Sequence, residues 1–88
     1  MSSVSEVLEQ AAELIRRHGW VQRKYGTTGE GYCIIGAIIA VPKHESGYPA
    51  IEALREELGG QSVMLWNDEP GRTSEEVLEL LERAASDR

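Results

Sequence analysis

Tyr32-Cys33-Ile34-Ile35-Gly36-Ala37-Ile38-Ile39-Ala40-Val41 is the stretch on which the fold of this chain turns. Its β-branched residues would suit a buried strand, but it is long for one central strand in so small a domain. Gly36, Ala37 and Ala40 instead suit a helix face packed closely against a neighbour. The stretch is therefore expected to be a buried helix ended by Pro42, because a residue before proline is pushed out of the helical region. With that reading the chain becomes mainly α.

The flanking segments agree. On the N-terminal side, Ser3 and Glu6 form a capping box, each side chain satisfying the other residue's free backbone N–H. Val4, Val7, Leu8, Ala11, Leu14, Ile15 and His18 follow at helical spacing, which predicts a helix over 4–18. Arg16, Arg17 and His18 suit the negative end of its dipole, and Gly19 can take the positive φ that ends it. Between the two helices, Trp20 to Lys24 alternates weakly and Gly26-Thr27-Thr28-Gly29-Glu30-Gly31 reads as a turn. A short irregular hairpin near residues 20–32 is compatible with this pattern.

On the C-terminal side, Lys43 to Tyr48 reads as a loop. Pro49 stands at the expected first position of a third helix. Ile51, Leu54, Arg55 and Leu58 share a face of it, and Gly59-Gly60 closes it. Ser62 caps a short helix over Val63 to Asn67, and Pro70-Gly71 turns the chain. Thr73 and Glu76 form a second capping box, from which Val77, Leu78, Leu80, Leu81, Ala84 and Ala85 run as an apolar face. The expected fold is a mainly α, compact, four- to five-helix single domain spanning residues 1–88.

Several of these segments resemble a family of small uncharacterised proteins of actinobacteria and their phages. They are His18-Gly19-Trp20, Cys33-Ile34-Ile35-Gly36-Ala37-Ile38, Trp66-Asn67-Asp68, Arg72-Thr73, Glu76-Val77-Leu78 and Leu80-Leu81. The resemblance runs from Val7 to Ala85. Where that family carries leucine after the cysteine, this chain has Ile34 and Ile35, which keep volume and apolarity. The resemblance implies domain identity and a bacterial or phage source, and brings no activity, cofactor or catalytic residue.

Composition narrows the function classes. With 88 residues and 41% hydrophobic content, the chain can form one modest core. The single cysteine excludes an intrachain disulfide and a four-cysteine zinc site, and fits a reducing, cytoplasmic compartment. No basic region followed by an apolar run marks a signal peptide, and the longest apolar stretch is short of the ~20 residues of a membrane span. The net charge of −6 divides into +1 over residues 1–44 and −7 over residues 45–88. That acidic half opposes general binding to a phosphate backbone.

The individual candidates for chemistry each have a simpler structural explanation. Cys33 as a nucleophile would need a base and a lowered pKa, whereas packing within an apolar segment accounts for it fully. His18 as a ligand or base has a complete account in the last helical turn, and with His44 and Cys33 it forms no zinc signature. The glycine-rich turn at 26–31 lacks the Lys-Ser/Thr of a phosphate loop. Arg16, Arg17, Trp20, Arg23 and Lys24 offer charge and one stacking ring, a weak pattern for single-stranded nucleic acid. No residue is assigned as catalytic, cofactor-binding or metal-binding.

The segment from Trp66 to Thr73 carries the most weight. The Pro70-Gly71 turn brings the chain back after Asn67 and Asp68, so Asp68 is expected to approach Arg72 or a backbone donor near Thr73, under cover of Trp66. Trp20, Trp66, Asn67, Asp68, Arg72 and Thr73 are the expected interaction or structural-junction residues. Two functions fit. One is a protein-interaction or regulatory module with a protein partner or a second copy of itself. The other is a small-ligand-binding domain or small enzyme, which requires a concave pocket holding Asp68 and Arg72.

Overall fold

The structure, a computed structural model, describes residues 3–27, 29–41 and 47–87. Helix α1 spans Val4–His18, a two-stranded antiparallel hairpin pairs β1 (Gly26–Thr27) with β2 (Gly31–Tyr32), and α2 spans Ile34–Ala40. Helices α3 (Gly47–Glu57), α4 (Val63–Asn67) and α5 (Ser74–Ser86) complete the order. The decisive apolar stretch is thus a buried helix, as its small residues predict. It is shorter than the stretch itself, because Tyr32 joins the hairpin and Cys33 becomes the N-cap. Pro42, Thr28 and most of the expected 43–48 loop lie outside the described residues.

Helix α1 packs against α5, α2 and α3, and the core lies among these four. Val7, Leu8, Ala11, Ala12 and Ile15 of α1 meet Ile34, Ala37 and Ile38 of α2, Ala50, Ala53 and Leu54 of α3, and Val77, Leu80, Leu81, Ala84 and Ala85 of α5. The alanines shorten the distance between helix axes, so leucine and isoleucine side chains fill the space without a phenylalanine anywhere in the chain. The third helix begins at Gly47, two residues before Pro49, and Arg55, exposed at the edge of its face, donates to the Gly60 carbonyl at 3.3 Å. At the α1–α5 contact, the Ser5 hydroxyl donates to the Ala85 carbonyl, in the last turn of α5, at 3.0 Å. Exposed ion pairs Arg16–Glu82 and Arg83–Glu57 bind α5 to α1 and α3, each contributing ~0–1 kcal/mol.

Both expected capping boxes are present, at Ser3/Glu6 and Thr73/Glu76. A backbone N–H donated by the cap residue is the main cause holding each glutamate below its ordinary value of 4.5. A carboxylate whose folded-state value is depressed contributes stability above its unfolded value and loses it as pH falls through the folded value. Urea titrations over this acid range should therefore show a shallower loss of stability for the Glu6→Gln/Glu76→Gln double variant than for wild type. Equal slopes would separate the caps from acid unfolding.

The hairpin is held close to α2 by backbone. The Tyr25 carbonyl accepts from the Cys33 N–H at 3.2 Å, and a Cβ built on Gly36 would overlap that same carbonyl. A methyl group there has no flexible neighbour to displace, so Gly36→Ala is expected to cost about 1–3 kcal/mol in chemical unfolding, the range for forcing volume into a packed interior. An unchanged unfolding midpoint would contradict this packing.

Candidate functional site

The short helix α4 ends on Asn67, whose side chain is 2% exposed and the one buried polar residue among the core positions. Its carboxamide makes four hydrogen bonds. Oδ1 accepts from the Trp20 indole N–H at 2.7 Å and from the Ile34 backbone N–H at 3.1 Å. Nδ2 donates to the Val21 carbonyl at 3.2 Å and to Asp68 Oδ1 at 2.9 Å. The Ile34 bond matters most for the fold, since the first N–H groups of a helix have no partner inside it. Helix α2 thus takes one cap from its own Cys33 and another from a residue on a different element.

Cys33 supplies the second cap. Its Sγ accepts from the Gly36 N–H at 3.2 Å, while burial, ahead of the other causes, pushes the thiol up from its ordinary value. A protonated, buried thiol engaged with backbone is a poor nucleophile at neutral pH. The expectation of simple apolar packing for Cys33 is thereby refined: the residue is buried, and it also caps the start of α2.

Around this anchor, the segment 20–25 is tied at successive residues. The Gln22 carboxamide donates to the Asn67 carbonyl at 3.0 Å and the Glu69 carbonyl at 2.9 Å. The Arg23 N–H donates to Asp68 Oδ1 at 2.8 Å. Arg23 holds φ +66°, the one positive φ at a non-glycine residue among the described positions. That conformation costs an L-residue roughly 1–2 kcal/mol. The Asp68 carboxylate, accepting this N–H, offsets part of that cost.

Arg72 belongs to a separate arrangement, and here the structure departs from the sequence reading. Asp68 turns toward Arg23 and Asn67. The Arg72 guanidinium lies over the Trp66 ring, 3.8 Å from its centroid, and donates to the Trp66 carbonyl at 3.0 Å, Glu69 at 2.7 Å and Glu76 at 3.4 Å. Stacking on an indole and a fork of donors are what a guanidinium does that an ammonium cannot. The Pro70-Gly71 turn does reverse the chain, but it returns Arg72 to the backbone of α4 and not to Asp68. Thr73 caps α5 alongside.

A cavity of about 190 Å³ opens beside this polar anchor, lined by Arg23, Lys24, Tyr25, Cys33, Met64 and Asp68. Asp68 is the one expected residue that lines it, and Arg72 does not. Its other walls were legible only in part: Arg23 and Lys24 stood out as charge, whereas Tyr25 and Met64 gave no signal beyond being large residues next to a turn and a cap. Of the expected basic cluster, Arg16 pairs with Glu82 and Glu13, Arg17 approaches Glu13 and Lys24 pairs with Glu30 at 2.7 Å. Among the described residues, the Arg23 guanidinium makes no ion pair. No group of three or more metal-ligating side chains occurs among the described residues, and no helix there is long and apolar enough to cross a membrane.

Comparison with protein families matches residues 1–87 to one described as a family of unknown function, DUF6197. The chain belongs to that family. No curated protein and no solved structure matches. Within this DUF6197 member, the elements of the Trp-Asn-Asp and Cys-x-x-Gly-Ala segments meet at one place, because Asn67 of the first bonds the backbone of Ile34 in the second.

Truncating Asn67 to alanine would strand the Trp20 and Ile34 donors, each at a cost of ~1–3 kcal/mol, so a total loss of about 3 kcal/mol is expected in urea unfolding. Double-mutant cycles should also show stronger coupling of Arg72→Ala with Trp66→Ala than with Asp68→Ala. The reverse order would restore a direct Asp68–Arg72 contact.

Proposed function

We propose that this chain is a protein-interaction module, and that its docking surface is the apolar face around Met64. The observation that carries this reading is the exposure of large side chains that share its hollows. Tyr48 is 73% exposed and Tyr25 55%. Met64 lines two adjoining concavities: the cavity beside Arg23, and a groove of about 390 Å³ lined also by Ile35, Tyr48, Ile51 and Arg55. Contiguous apolar surface rimmed by charge is characteristic of a binding face.

At the cavity that Asp68 lines, size opposes a small-ligand site. Pockets for small molecules enclose ~300–1,000 Å³. The cavity of about 190 Å³ beside Arg23 suits one side chain of a partner better. The Arg72 guanidinium is already committed to Trp66, Glu69 and Glu76, which leaves Asp68 without the partner that the enzyme reading needs. The lone cysteine supports a cytoplasmic setting, and the motif resemblance supports an actinobacterial or phage source. A regulatory role fits a module that offers a surface and no assembled reaction chemistry.

The test is quantitative affinity capture from host lysate with wild type and Met64→Glu, after thermal unfolding confirms that the variant is folded. Met64 is exposed, so the substitution should leave the fold intact. At least one protein should be retained by wild type and lost with the variant. Identical captured sets would reject the surface.

A further inference from the structure

Resting on that docking reading, we propose what the cavity beside Arg23 takes: a protein segment carrying an apolar side chain next to a carboxylate. The apolar group enters between Tyr25 and Met64, and the carboxylate meets the Arg23 guanidinium.

The floor and the rim of the cavity make different demands. At the floor, Cys33 is buried and its pKa is raised by that burial, so it presents an uncharged surface. Tyr25 is 55% exposed and Met64 40% exposed beside it. An uncharged floor between an aromatic ring and a flexible thioether favours a branched or unbranched aliphatic side chain. At the rim, the Arg23 side chain has no ion pair among the described residues, whereas Arg16, Arg17, Lys24, Arg55, Arg72 and Arg83 each have one. Beside it, Lys24 is held by a single exposed bond to Glu30, an interaction weak enough to be redirected.

The backbone fixes where that free charge sits. Arg23 stands in a left-handed conformation, and Asp68 holds its N–H at 2.8 Å. The side chain therefore leaves from an anchored backbone, and Arg23 lines the same cavity as Asp68. Asp68 spends Oδ1 on Arg23 and Asn67. Among the described residues Oδ2 meets no donor, so it is placed to accept a backbone N–H of the bound segment. A carboxylate for Arg23 and a peptide N–H for Asp68 define one direction of approach, with the apolar side chain between them. Charge matching of this kind sets the partner and the rate of encounter more than the total affinity.

The experiment is a heptapeptide array with a fixed Leu, Ile or Met at the centre and all flanking positions varied, probed with wild type, Arg23→Asn, Arg23→Asp and Met64→Glu. Asparagine and aspartate tolerate the left-handed conformation, so both Arg23 variants should fold, as thermal unfolding will show. Wild type should select Asp or Glu beside the central residue, and added salt should weaken binding. Arg23→Asn should lose about tenfold in affinity for acidic peptides, and Arg23→Asp should shift selection to Lys or Arg. Met64→Glu should bind none.

Binding that requires Met64 but shows no charge preference, or the same preference in Arg23→Asp, would overturn the acidic-segment proposal and leave the docking reading standing. An array on which wild type selects nothing would overturn the proposal as well. Together with capture unaffected by Met64→Glu, that outcome would remove the docking reading too. Light scattering supplies the last arm: a dimer that dissociates on Met64→Glu would make the occupant a second copy and replace the proposal.

Discussion

The carboxamide of Asn67 is the interaction on which the rest of this structure depends. Helix α2 is short and wholly apolar, and it cannot satisfy its own first N–H groups. Cys33 serves one of them, and Asn67 reaches across from α4 to serve another. The same side chain holds Trp20 and Val21, so the segment leading into the hairpin cannot move without breaking a partly buried bond. Four bonds to one side chain leave none of its donors or acceptors unpaired, which is the condition for a buried polar group to stabilise and not to cost. Packing around α1 supplies most of the stability, while Asn67 sets where the loop 20–25 lies on that packed body.

Much of the fold could be read from local chemistry. Both capping boxes, the helical spacing of α1, the Ser62 start of α4 and the apolar face of α5 depend on residues within a turn of one another, and all appear where the spacing puts them. The decisive stretch at 32–41 was legible as helix because Gly36 and the alanines have no use in a strand. Its true start was not, since Tyr32 is claimed by Gly19 and Val21 on one side and pairs with Gly26 on the other. That competition lies in tertiary contacts, and no local propensity encodes it. On α3, Leu54 with Ala50 and Ala53 supplies the buried part of the face, and Arg55 lies at its exposed edge.

The site was legible in its residues and not in its pairings. Trp66, Asn67, Asp68, Arg72 and Thr73 stand close in sequence, and a turn between Asp68 and Arg72 made a direct ion pair the economical expectation. The chain instead sorts them into two groups. Asn67 and Asp68 look back to residues 20–23 and 34, some forty positions away, and Arg72 looks to Trp66, Glu69 and Glu76 within its own neighbourhood. A guanidinium satisfies more of its donors against a carbonyl, two carboxylates and an indole face than against one aspartate. The long-range half of the arrangement left a faint mark in the sequence: a polar run, Gln22-Arg23-Lys24, set between Gly19 and Gly26 and next to Trp20.

The division between the two groups bears on how a chain this small can carry a function. Arg72 and Trp66 close one end of α4 onto the start of α5, which is a local and mostly self-contained task. Asn67 and Asp68 act at a distance, and their effect is to fix the conformation of a surface loop. Asp68 meets the unfavourable φ of Arg23 with a charge-assisted bond, so a strained residue persists in the loop. Strain of that kind at the edge of a cavity is consistent with selection for the position of the side chain. The guanidinium left without an ion pair among the described residues, the apolar walls beside it and the buried thiol form a surface whose shape depends on the bonds that Asn67 and Asp68 make to the loop. Changes at Asn67 should therefore reach the surface through the loop, and changes at Met64 or Arg23 should alter the surface while leaving the core as it is.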